Sequence, residues 1–135
     1  MRRLLFVFVL GLSFVSPAAA GSDATVLQAQ LVPVAASSTA SGAFTARAVV
    51  GRQAVLLHWQ LSLTRLSGTA IRTTFRVGGN GVLEFPFCAP CGPSAHGELA
   101  LTPSAWKAIV AKGAVIVVKT RARPGGELHG IVKVR

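Results

Sequence analysis

The residues of this chain best suited to chemistry are Cys88-Ala89-Pro90-Cys91, its two cysteines, with His96 shortly after them. Cys-x2-Cys-x4-His offers two thiolates and an imidazole, a donor set for zinc or copper(I). A closed structural zinc site takes four ligands, so His58 or His129 must be brought close to complete it. The same pair serves thiol redox exchange when its first cysteine opens a helix, where the thiol pKa falls. Here the pair follows an apolar run and precedes Gly92-Pro93, which is not that setting. In an oxidising compartment, two cysteines and no others favour an intramolecular disulfide. Closing so short a loop contributes about 2 kcal/mol in the chain-entropy view.

The compartment therefore decides among these readings, and the first twenty residues speak to it. Arg2 and Arg3 precede the apolar run Leu4 to Val15, Ser16-Pro17 breaks it, and Ala18-Ala19-Ala20 follows. These are the three parts of a secretory signal with a small-residue cleavage site. The run is about a dozen residues, short of the roughly 20 needed to span a bilayer. The expectation is a signal peptide over 1–20, cleaved after Ala20, and one domain over 21–135. No cysteine follows the cleavage site to take a lipid. The protein is thus expected to be secreted or periplasmic and not membrane-spanning after cleavage.

The whole chain has a net charge of +10. Losing Arg2 and Arg3 leaves twelve basic residues against Asp23, Glu84, Glu98 and Glu127, about +8 with neutral His. Such a charge attracts anionic surfaces. The basic residues are spread out, and Lys119, Arg121 and Arg123 form the one dense group. With Arg76 they are the candidate contacts for an anionic envelope surface, acidic polysaccharide or anionic lipid. Another extracytoplasmic protein is the alternative partner. Nucleic-acid binding calls for a basic patch with stacking aromatics. This chain has no Tyr and two Trp, and the compartment is wrong, so no nucleic acid is expected. The acids form no pair, and no Ser-His-Asp order or Gly-rich phosphate loop is present, so no catalytic residues and no cofactor are assigned.

The elements that must position these residues are mostly strands. Val55 to Leu63 alternates clearly, with Val55, Leu57, Trp59, Leu61 and Leu63 on one face and His58 on the other. One buried and one wet face is the antiparallel pattern. Leu27, Ala29 and Leu31 mark an earlier strand, and Ala43 to Val49 pairs across Gly51-Arg52-Gln53 as a hairpin. Ile71, Phe75 and Val77 are expected to face inward together. Gly78-Gly79-Asn80-Gly81 is a turn before Val82 to Phe87. Thr102 caps a short helix with Pro103 at its first position and Gly113 beyond its end. Ala105, Trp106, Ile109 and Val110 are its expected apolar stripe. Ala114 to Lys119 reads as a strand buried on both faces. Leu128, Val132 and Val134 share the inner face of the last strand. About seven short strands with one short helix give an all-β fold, a Greek-key β-sandwich or barrel.

Four stretches resemble the CHRD (chordin-type) domain family. They are Leu57-His58-Trp59-Gln60-Leu61 running into Leu66-Ser67-Gly68, Gly97 to Thr102, Lys112 to Thr120, and Arg123-Pro124-Gly125-Gly126-Glu127-Leu128-His129-Gly130. The last is similar to the family's closing Asn-Pro-Gly-Gly-Glu-Ile-Arg-Gly pattern. Their order and spacing cover most of Leu27 to Val134. The chain departs from the family where Thr74-Phe75-Arg76-Val77 replaces a His-Ile-His-Gly motif, and where Lys119 replaces a further His. The resemblance implies an extracytoplasmic β domain, a binding or structural module, and no enzyme. The alternative is a metal-handling or thiol-redox protein using Cys88, Cys91 and His96.

Overall fold

The computed structural model describes residues 25–78 and 83–135. The expected signal peptide over 1–20, the polar start 21–24 and the expected turn at Gly79-Asn80-Gly81 lie outside the described residues. Among the described residues are eight strands and one helix: β1 (Thr25–Pro33), β2 (Ser41–Val50), β3 (Val55–Thr64), β4 (Ala70–Val77), β5 (Leu83–Cys88), β6 (Ser94–Leu101), α1 (Pro103–Lys112), β7 (Ala114–Thr120) and β8 (Leu128–Val134). All pairs are antiparallel, in the order β5-β4-β7-β8-β1-β2-β3-β6. The sheet is a nearly closed, barrel-like layer, so the all-β expectation holds.

Alternation explains most of it. The odd-numbered residues of β3 from Val55 to Leu63 are buried and the even-numbered ones from His58 to Thr64 are exposed. Phe44, Ala46 and Ala48 do the same on β2. Inside, Phe87 on edge strand β5 reaches across to strands of the other half. Its ring lies 5.1 Å from both Phe44 and Trp59 and 5.4 Å from Phe75. Offset and edge-on aromatic contacts of this kind add to simple burial. They pack edge strand β5 across the interior against β2 and β3.

Four details depart from the sequence reading. An eighth strand, β6, occupies Ser94–Leu101, a segment not among the seven expected strands. Its inward residues Ala95, Gly97 and Leu99 are only half-buried, and Gly97 and Ala95 are small, so the alternation carries little contrast. Ile71 is exposed because a bulge interrupts β4: Ala70 pairs with Thr120 and Arg72 with Lys119. Val110 is exposed, and α1 buries Ala105 and Ile109 with Trp106 half-buried. Val134 is likewise exposed at the end of β8. The helix caps themselves are as expected, with the Thr102 hydroxyl accepting from the Ala105 N–H and the Gly113 N–H donating to Ile109.

Antiparallel order sorts the connections onto two ends. Residues 34–40, 65–69, 89–93 and 121–127 lie at one end, the loop end. The 51–54 turn and α1 lie at the other, the helix end.

Candidate functional site

Cys88 and Cys91 are joined to each other by a disulfide, with their Cα atoms 5.2 Å apart. Cys91 is buried, and its N–H donates to Ala70 at 2.8 Å. A disulfide sulfur has no proton, so the Thr73 hydroxyl is the donor in its 3.2 Å contact with Cys91 Sγ. The bridge therefore ties the loop of residues 89–93 to the start of β4. The metal alternative is not assembled. Both thiols are spent on one another, and His96 lies on the outward side of β6 opposite Gln60. Among the described residues no three His, Cys, Asp or Glu side chains gather as metal ligands. Nor does the pair open a helix, since α1 starts at Pro103.

The histidines sit outside the core. His58 Nδ1 is 3.1 Å from Glu98 Oε1, its cross-strand neighbour, with both side chains well exposed. Exposed pairs of this kind contribute little to stability. His129 is exposed on β8.

The basic candidates fall in one region. Lys119 stands on the outward side of β7, directly opposite Arg72 of β4. Arg76 lies on the same side of β4, opposite Val115. Arg121 and Arg123 follow Lys119 off the end of β7, and both are exposed. Arg72 was absent from the sequence-based group, yet it shares its parity with Arg76, and that signal was available. Arg65 adds a further positive charge at the loop end, where it holds φ at 57°.

Among the described residues one carboxylate answers this group. Glu84 faces Arg76 across β4–β5, and its Oε1 is 3.6 Å from Lys119 Nζ. The Glu84 carboxyl is held below its ordinary pKa, first by the Thr74 hydroxyl and then by the charges of Lys119 and Arg76. Thr74 Oγ1 is buried and completes no hydrogen bond of standard geometry, so it acts as a neighbouring dipole. Because the folded-state pKa is depressed, this stabilisation is present above the unfolded carboxylate value. It is lost as pH falls through the lowered folded value. Thr74→Val and Lys119→Met are each expected to raise the Glu84 midpoint in a carbon-detected NMR titration. An unmoved midpoint in both variants would contradict this account.

Glu127 was read from the sequence as one of the scattered acids and as part of the closing Arg123–Gly130 stretch, without a site role of its own. It is 1% exposed. Its carboxylate accepts the Ser67 N–H at 3.0 and 3.3 Å. Its own N–H donates to Val118 at 2.7 Å, and its carbonyl accepts from Val34 at 3.0 Å. One residue thus ties the 34–40 loop, the 65–69 loop and β7 together. Gly126 precedes it at φ 134°, a conformation that side-chain-bearing residues avoid. No protein-family model matches the chain, and neither curated proteins nor solved structures yield a match.

Proposed function

We propose that the chain is an exported, CHRD-like, non-enzymatic binding module whose β4–β7 face meets an anionic partner. The observation that carries this reading is Arg72 set directly opposite Lys119, with Arg121 and Arg123 beside them. Like charges facing each other across strands destabilise a sheet. An anionic partner relieves that repulsion. Among the described residues Lys119 is the one Lys or Arg with a carboxylate partner.

Two further observations support the rest of the reading. The Cys88–Cys91 disulfide suits an oxidising compartment, in line with Arg2, Arg3 and the apolar run that follows them. The Glu127–Ser67 contact joins the first and fourth stretches that resemble CHRD domains. The non-enzymatic character rests on that resemblance.

Binding to vesicles containing phosphatidylglycerol, or to alginate, is expected to weaken steeply as salt rises. Replacing Arg72 and Lys119 by Gln is expected to cost about fivefold each, from ~1 kcal/mol per basic residue at an anionic surface. Salt-insensitive binding, or no binding at low salt, overturns the proposal.

A further inference from the structure

The loop end carries a cavity of about 470 Å3 beside the cationic face. Its walls come from three separate loops and one strand: Ser67 and Thr69, Pro90, Arg121 and Ala122, and Ile71 of β4. The volume lies within the range of small-ligand pockets. The lining is chemically divided. Arg121 brings a full positive charge, Thr69 a hydroxyl, and Ile71 with Pro90 an apolar wall.

Ile71 reaches this wall because of the bulge between Ala70 and Arg72. Regular alternation would have turned it inward. Bulges beside functional sites re-aim a side chain in this way.

Each wall is also fixed from behind. The carboxylate of Glu127 holds the Ser67 N–H. The disulfide and the Cys91–Ala70 hydrogen bond hold the Pro90 loop. Reciprocal backbone bonds between Thr120 and Arg123, at 3.3 and 3.2 Å, hold the turn that bears Arg121. A pocket whose walls are held before binding loses less ordering entropy when it is filled.

We propose that this pocket seats one acidic sugar unit of a polysaccharide. Its carboxylate meets the Arg121 guanidinium, a hydroxyl meets Thr69, and the apolar edge of the ring lies on Ile71 and Pro90. The proposal rests on the anionic-partner reading and deepens it. A concave site with one cation and an apolar wall selects a single anionic unit, which a flat lipid surface does not present. Lys119 and Arg72 continue outward from Arg121, so the neighbouring units of the same chain meet further charges.

The test uses an alginate hexasaccharide, a neutral dextran oligomer and phosphatidylglycerol vesicles, with affinities measured by calorimetry at low salt. Arg121→Gln is expected to weaken hexasaccharide binding about tenfold, the loss of one charge-assisted hydrogen bond. Ala122→Trp fills the pocket from an exposed position without altering charge. It is expected to abolish hexasaccharide binding and leave vesicle binding unchanged. Lys107→Gln, on the exposed face of α1 at the helix end, is expected to change neither. Thermal melts of each variant verify folding. NMR amide shifts on adding hexasaccharide are expected at Ser67, Gly68 and Thr69. If Ala122→Trp folds and binds the hexasaccharide as the parent does, the pocket proposal fails while the anionic-face reading stands. The same holds if the parent binds vesicles alone, or binds dextran equally well. If no anionic probe binds at low salt, both readings fail.

Discussion

Glu127→Ala is expected to lose about 3 kcal/mol of unfolding free energy, through an unpaired buried donor and a cavity. Glu127→Gln is expected to change it by less than about 1 kcal/mol, because it keeps the shape and one acceptor. The reasoning turns on what surrounds the carboxylate. It is 1% exposed, it receives one amide N–H, and among the described residues no Lys or Arg pairs with it. Burying an unpaired carboxylate is costly, and one charge-assisted hydrogen bond returns only part of that cost. A neutral amide of the same shape gives up bond strength but avoids much of the desolvation. Those two changes oppose each other, hence the small net effect. Alanine offers neither compensation: the Ser67 N–H is left without its acceptor and the side-chain volume is lost. Urea unfolding at neutral pH, with the disulfide intact, measures both. If Glu127→Ala is as stable as Glu127→Gln, then water satisfies Ser67 and the contact does not clamp the loops.

Much of the fold was legible because the strands are regular where the barrel is regular. Val55 to Leu63 alternates without a break, and the burial of β3 follows it residue by residue. The helix caps were legible because Thr102, Pro103 and Gly113 are each suited to a particular backbone position. The failures share a different cause. Ile71 was assigned by parity, and one bulged residue shifts the phase of everything before it. β6 was missed because small residues on its inward side give no hydrophobic contrast against His96 and Glu98. Its neighbours impose the strand: eight of its residues pair with β3.

The site was legible in part for the same reason. Lys119, Arg121 and Arg123 are close in sequence, so their proximity needed no fold. Arg72 shares the parity of Arg76, but its place directly opposite Lys119 comes from the β4–β7 register. Glu127 and Ser67 are 60 positions apart, and nothing local in either segment announces the contact. The cysteines stood between those cases. Their spacing allowed a bridge, a metal site or a redox pair, and burial of Cys91 against Ala70 and Thr73 placed the disulfide within the structure of the loop end.

Gly130→Ala is expected to cost about 3 kcal/mol, the upper part of the usual range for overpacking. Gly130→Val is expected to cost more. A Cβ at this position would lie 2.5 Å from the Gln30 carbonyl oxygen and 2.7 Å from Leu31 Cδ2. The first of these is backbone, so a change of rotamer cannot relieve it. The strands must separate instead. They do so at the seam that joins the two halves of the sheet, where β1 pairs with β8 at Leu27–Val134 and Gln28–Lys133, and again at Val32–His129 and Pro33–Leu128. Gly130 lies between these two stretches. Replacing Gly by Ala also restricts the unfolded chain, which favours folding by about 0.4–1 kcal/mol where the native backbone accepts it. That gain is smaller than the clash, so the sign is destabilising. Gly125→Ala provides the contrast, since nothing lies within 4 Å of its added Cβ. Thermal melts of the two variants are expected to show Gly125→Ala neutral or slightly stabilising and Gly130→Ala destabilised. The seam also bears on the loop end, because Val34 follows β1 directly and its N–H holds the Glu127 carbonyl. Gly130→Ala is therefore expected to speed hydrogen exchange at Val34 and Ser67 as well as lower stability. A Gly130→Ala protein matching the parent in both measurements would show that β1 and β8 can part there without strain.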